Sequence, residues 1–285
     1  MRRMRNSWRS LVAGAFALAG AACGNLNIYS DDQLEPLSVQ AYEEATKETK
    51  GVITSGPQYE MVQRVAKRIA AASGETKFPW EARLLRADDV PNAFCLPNGR
   101  IAIYTGILPV TQNEDGLAIV MGHEVAHAIL RHGGKRMTQG TFAEFTMAAA
   151  QAGLDLTKMS GEAKAGTMAV LGMGAQVGVL LPYSRDHESE ADIEGLRYAV
   201  RAGYDPNEAP KLWERMAALG GGDTPEWLST HPASAARAKK LREMIPVIVE
   251  QEKGWQAAPA PSAPTKKVAP GAIKTGATKA GATKP

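Results

Sequence analysis

The segment His123-Glu124-Val125-Ala126-His127 constrains this chain more than any other. On a helix, residues four apart lie one above the other on one face. His123 and His127 can therefore direct two imidazoles at one metal ion, with Glu124 beside them in reach of a water on that ion. This is the H-E-x-x-H spacing of zinc hydrolases, which take two ligands and a general base from one helical turn. Leu117, Val120, Met121, Val125, Ala128 and Leu130 give the flanks an apolar, helix-compatible pattern. Two imidazoles inside such a helix are costly to bury without a partner. Thr111 and Glu114 have capping-box spacing ahead of the segment, and Gly133-Gly134 supplies a stop, with Arg131 and His132 in the last turn.

The ends of the chain bound the rest. Residues 1–22 read as an export signal: Arg2, Arg3, Arg5 and Arg9, then an apolar run from Leu11 to Leu18, then Ala19-Gly20-Ala21-Ala22. Cys23 follows at once, as in bacterial lipoprotein signals, where the cysteine is lipidated and becomes the first mature residue. Plain cleavage near Ala21 or Ala22 is the alternative. Gly24 in place of an aspartate leans towards the outer membrane. With Cys23 lipidated, Cys95 has no partner for a disulfide. Residues 23–34 are expected to be a linker and 35–255 a single domain. From 256 to 285 the Ala/Pro/Gly/Thr/Lys composition and the repeat Gly276-Ala-Thr-Lys, Gly281-Ala-Thr-Lys exclude a packed core. The signal carries four of the 33 basic residues and the tail five, with no acid in either, so 24 basic residues face 30 acidic ones in between. That balance argues against a nucleic-acid partner.

Most of the domain reads as helix, including Tyr42 to about Ala72. Strands are expected at Trp80–Leu85 and, after the Asn98-Gly99 turn, at Arg100–Tyr104. The fold class is α+β, mostly helical, with a small antiparallel sheet. A catalytic zinc needs three protein ligands and an open position, so a third must come from elsewhere. The helix from Ser184 to about Ala202 has three faces. Ser189, Ile193, Leu196 and Val200 form a core stripe. Glu190, Glu194, Arg197 and Arg201 form a charged, solvated face. Glu188, Ala191, Asp192, Gly195 and Ala199 form a small-residue face that lets another helix approach closely. Glu188 is the expected third ligand, and Asp192, one turn on, is placed to hydrogen-bond a ligating histidine.

With those residues in view, the chain resembles the M48 peptidases, a family of gluzincin zinc metallopeptidases. His123-Glu124-Val-Ala-His127 matches the family's metal helix. Glu188-Ser-Glu-Ala-Asp192 matches its E-x-x-A-D element, whose glutamate ligates zinc. Asn92-Ala93-Phe94 with Pro97-Asn98-Gly99-Arg100-Ile101 resembles its NAF…PGG-x-I strand, Asn98 replacing the usual glycine. His231-Pro232 and Arg237 resemble its late H-P-x-x-x-x-R motif. The resemblance implies a zincin-type domain with one Zn2+ on His123, His127 and Glu188, Glu124 as general base, and His231, Arg237 or both donating to the oxyanion. A second role for His231 is to fill the metal's open position at rest. The signal and single domain resemble the family's periplasmic lipoprotein branch.

These readings lead to a zinc endopeptidase that cuts unfolded or misassembled envelope proteins, held to the membrane through Cys23. Ile101, Ala102, Ile103 and Tyr104 are expected to form an edge strand with which an extended substrate pairs. The alternatives are a chaperone or assembly factor that rarely cuts and a zinc hydrolase of cell-wall peptides. The uncharged run 165–181 reads as a buried or site-covering helix that could act as a lid.

Overall fold

The computed structural model describes residues 26–155, 160–162, 164, 185–218, 226–232 and 234–256. The residues read as an export signal, Cys23, the tail from 257 and the run expected to be a lid (165–181) all lie outside them. No helix among the described residues is long and apolar enough to cross a membrane.

Helix α1 (Asp31–Glu48) starts inside the stretch expected to be linker. A capping box explains it: the Ser30 hydroxyl accepts from the Gln33 amide, and the Gln33 side chain accepts from the Ser30 amide. Next come β1 (Val52–Ile53), α2 (Pro57–Ser73), β2 (Glu81–Leu85), β3 (Ala93–Cys95), β4 (Arg100–Tyr104) and a short α3 (Leu108–Thr111). The segment from His123 to His127 lies in α4 (Glu114–Ile129), followed by α5 (His132–Asp155), α6 (Arg185–Arg201), α7 (Glu208–Ala218), α8 (Glu226–Thr230) and α9 (Ala235–Gln251).

The chain is mostly helical around a four-stranded sheet of order β1-β2-β4-β3. The sheet is mixed. β1 with β2 and β3 with β4 run antiparallel as expected, but β2 lies parallel to β4, Glu81 opposite Arg100 and Leu85 opposite Tyr104. This overturns the edge-strand expectation. β4 is flanked on both sides, so Ile101, Ala102, Ile103 and Tyr104 form a central, buried strand. Their alternation feeds two cores. Ile101 and Ile103 join Val62, Val65 and Ile69 of α2 and Leu117 and Val125 of α4. Ala102 and Tyr104 pack against Tyr42 and Ala45 of α1. The free edge beside the metal helix belongs to β3 instead, from the Asn-Ala-Phe motif.

Two local expectations at the ends of α4 also shift. Its N-cap is Asn113, whose side chain accepts from the Gly116 amide at 2.7 Å. Thr111 instead ends α3, because Gln112 takes a left-handed turn (φ 64°) between the two helices. At the other end the stop is Arg131 (φ 59°), and Gly133-Gly134 falls in the first turn of α5. His132 thus opens a new helix and is fully buried.

Helix α6 crosses α4 where Gly122 meets Gly195. A Cβ on Gly122 would lie 2.6 Å from the Gly195 carbonyl oxygen, and one on Gly195 would lie 2.6 Å from the His123 amide. The small-residue face of α6 is therefore the buried one. Of the expected core stripe only Leu196 is fully buried, while Ser189, Ile193 and Val200 are half-buried. The charged face is less solvated than expected: Arg197 and Arg201 reach Glu252 just past α9, and Glu190 reaches His132.

Candidate metal centre and active site

The α4–α6 crossing sets the site. His123 and His127, both buried on α4, bring their Nε2 atoms to 3.1 Å of one another. Glu188, in the first turn of α6, places Oε1 3.3 Å from His127 Nε2 and Oε2 3.5 Å from His123 Nε2. His231, just past α8, brings Nδ1 to 2.9 Å from Glu188 Oε1 and 3.3 Å from His123 Nε2. One ligand atom from each of the four lies within 4.8 Å of all the others.

The electrostatics fit a cation. Burial opposes a charge on His123, but the carboxylates of Asp192 and Glu188 outweigh it and hold the imidazole up to about 9. Burial pushes His127 well below its ordinary value. Burial would raise Glu188, yet the imidazoles of His123, His127 and His231 hold it far below the usual carboxylate range. The cluster thus keeps its carboxylate ionised and favours one compensating positive charge. Two imidazoles and a carboxylate are the donor set of catalytic metal sites in hydrolases. The residues present fit such a metal.

Around these donors lies a layer that fixes them. Asp192 Oδ1 sits 3.2 Å from His123 Nδ1. Arg237 grips Asp192 through two bonds, Nε donating to Oδ2 at 2.8 Å and Nη2 to Oδ1 at 2.7 Å. The charge of Arg237 outweighs burial and lowers the Asp192 carboxyl. The remaining guanidinium nitrogen lies 2.6 Å from Glu188 Oε2 and donates to the Pro232 carbonyl at 3.1 Å. Arg237 therefore stands behind the cluster, engaged by two carboxylates, rather than aimed at an incoming substrate. His231 stands among the ligand atoms, the second of the two placements expected for it, with Nε2 3.7 Å from Glu124 Oε1.

Sequence reasoning missed three members of this layer. Trp227 Nε1–H donates to Glu124 Oε1 at 2.8 Å. Trp213 stacks on Trp227 with centroids 5.1 Å apart, and the Arg237 guanidinium lies over the Trp213 ring, 3.4 Å from its centroid. His132 sits 2.9 Å behind His127. The one available signal was that Trp227 precedes His231 by one helical turn.

A cleft of about 390 Å³ opens onto Glu124, His127 and His231 between Leu34 and Leu37 of α1 and the edge of β3. Tyr104 N–H donates to the Asn92 carbonyl and Leu96 N–H to that of Arg100. In an antiparallel ladder this turns the main-chain groups of Ala93 and Cys95 to the open side. The Asn92 side chain caps the Ala93 amide at 2.8 Å. The Cys95 amide and both carbonyls remain on that edge.

Residues 58–245 match the model of peptidase family M48. The chain belongs to that family. It is 41% identical over 187 residues to the mitochondrial metalloendopeptidase OMA1 of Schizosaccharomyces pombe, covering 65% of this chain and 52% of that protein. It is 30% identical over 231 residues to the mitochondrial OMA1 of Danio rerio, covering 76% of this chain and 47% of that protein. It is 29% identical over 206 residues to a putative beta-barrel assembly-enhancing protease of Vibrio cholerae, covering 71% of this chain and 42% of that protein. The chain spans about half the length of these relatives. M48 peptidases depend on a metal, and the four-residue cluster lies where such a metal would bind.

Proposed function

We propose that this M48 chain is a zinc endopeptidase of the bacterial cell envelope that cuts unfolded or misassembled proteins. The observation that carries the reading is Glu124 beside the His123–His127–Glu188 cluster, facing a cleft bordered by the free edge of β3. His123, His127 and Glu188 would hold the zinc. Bound there, it would supply Lewis-acid polarisation of a carbonyl and a water acidified towards neutral pH.

The chain's own groups do the rest. Glu124 takes the proton of the attacking water and returns it to the leaving amine. Trp227 holds one oxygen of that carboxylate, which orients the other. Arg237 ties Glu188 to Asp192 and so positions the ligands. His231 stands among the ligand atoms, its Nδ1 3.3 Å from His123 Nε2. Two roles suit that place: to fill the metal's open position at rest and to donate to a developing oxyanion. An extended peptide pairs with β3 through main-chain hydrogen bonds, which is largely blind to sequence and suits unfolded clients.

The envelope location and the Cys23 anchor rest on the leader sequence. A bacterial relative named as a beta-barrel assembly-enhancing protease supports the client class; the mitochondrial relatives support the chemistry alone. Labelled fatty acid should enter the full chain and not its Cys23→Ser variant.

The deciding experiment is digestion of an unfolded protein by the chain lacking residues 1–23, beside Glu124→Gln. Cleavage should stop with a chelator, return with zinc, and fall about 10²–10⁴-fold in the variant while zinc content stays equal. A folded, zinc-loaded chain that binds the client and cuts nothing would leave the chaperone reading in its place. Activity gained on His231→Ala would instead identify a latched peptidase.

A further inference from the structure

His132 opens α5 with its ring fully buried, and nothing in the chemistry above uses it. Its Nδ1 lies 2.9 Å from Nδ1 of His127, and its Nε2 lies 3.1 Å from Oε2 of Glu190. A neutral imidazole carries one proton, on one of its two nitrogens. His127 turns Nε2 to the ligand cluster, 3.1 Å from His123 Nε2 and 3.3 Å from Glu188 Oε1. A ligating nitrogen must be bare, so the proton of His127 sits on Nδ1. That N–H faces His132 Nδ1, which must accept it. The proton of His132 then sits on Nε2, where it is donated to Glu190.

We infer that His132 and Glu190 are positioning residues for the metal ligand His127, linked as a relay in which His127 donates to His132 and His132 donates to Glu190. The relay fixes the tautomer and plane of His127 and strengthens its Nε2 as a ligand, as a hydrogen-bonded partner behind a ligating histidine generally does. It parallels Asp192, which stands behind His123, but reaches its carboxylate through a second imidazole. His187 supports it mechanically: its ring stacks on His132 with centroids 4.3 Å apart and planes 18° apart. Glu190 carries its end of the relay on a half-exposed side chain, so water competes for its oxygen and the larger effect belongs to His132.

This inference rests on the metal reading above. Its test is zinc affinity of the full chain in detergent, by competition with a chromophoric chelator, for wild type, His132→Phe, His132→Asn and Glu190→Gln. Phenylalanine keeps the bulk and removes both hydrogen bonds. Asparagine restores an acceptor near the position of Nδ1. The expected result is affinity about 10- to 100-fold weaker for His132→Phe, largely regained in His132→Asn, and a smaller loss for Glu190→Gln. In the zinc-loaded protein, nitrogen NMR should find a scalar coupling across the hydrogen bond from His127 Nδ1–H to His132 Nδ1, which a merely space-filling His132 would not give. Affinity of His132→Phe equal to wild type, or an asparagine variant no better than phenylalanine, overturns the relay. If His132→Phe does not fold, the NMR measurement on wild type decides: no coupling between the two Nδ1 atoms overturns the relay. A wild-type chain that binds no zinc sinks the metal reading itself, an outcome distinct from equal binding by all four proteins.

Discussion

At the scale of single residues, the site divides into groups that would hold a metal or meet a substrate and groups that fix them in place. Asp192 is the clearest of the second kind, with His123 on one side and a bidentate Arg237 on the other. Asp192→Ala removes the carboxylate beside His123 Nδ1 and leaves a half-buried Arg237 with half its partners gone. Metal affinity should fall about 10- to 100-fold, and peptidase activity at limiting zinc should fall with it. Chelator competition measures the first; recovery of activity at saturating zinc separates lost binding from lost chemistry. An Asp192→Ala protein with wild-type affinity would show that Arg237 alone suffices. The ligands were legible in the sequence because i, i+4 spacing fixes His123 and His127 whatever the rest of the chain does, and because Glu188 sits among residues too small to be a solvated face. Trp227 and His132 were not legible. Trp227 meets Glu124 across 103 residues, and no periodicity encodes a contact at that range. His132 looked like a helix-end charge, because Gly133-Gly134 reads as a stop while the left-handed turn falls on Arg131.

At the scale of elements, the α4–α6 crossing is the joint on which the site depends. Gly122 and Gly195 let the two backbones meet with no room for a methyl group. Gly195→Ala would press a Cβ against the His123 amide, and backbone on both sides cannot relax as a flexible side chain would. Overpacking of this kind costs about 1–3 kcal/mol. The melting temperature should drop, and the displacement of α6 should carry Glu188 away from His123 and His127, so that zinc affinity falls as well. A variant that melts lower but binds zinc as before would mean that the crossing supports the fold and not the site. The same small-residue face was readable from sequence. The sheet was not, because its strands run from two to five residues. Alternation over so short a span cannot reveal which strand is central, and Arg100–Tyr104, the most strand-like stretch, lies in the middle because it is the most apolar. Ala93–Cys95, too short to signal a strand by itself, forms the outer strand beside α4.

At the scale of the whole molecule, the C-terminal end of α9 is tied back to the metal-bearing half through charge. Glu252 is buried against Arg197 and Arg201 of α6, and Arg201 also donates to the Ala72 carbonyl at the end of α2 and lies over the Trp255 ring. Burial alone would raise the Glu252 carboxyl; hydrogen bonds from Arg201 and Arg197 outweigh it and hold the carboxyl below its ordinary value. A carboxylate lowered in the folded state binds fewer protons there than in the unfolded chain, so its contribution to stability is complete above the unfolded value of about 4.3 and is lost as pH falls through the folded one. The comparison that isolates it is wild type against Glu252→Gln, both metal-free, melted across pH 7 to 3. The gap in melting temperature should stay constant down to about pH 5 and narrow as pH falls below the unfolded value of about 4.3, as the wild-type carboxylate takes up its proton. A gap unchanged at pH 3 would mean that Glu252 acts through packing and not charge. The site lies at the far end of α6 from these arginines, so Glu252→Gln should leave zinc affinity at neutral pH unaltered, and a change there would show that the charge clamp and the metal centre are coupled along the helix.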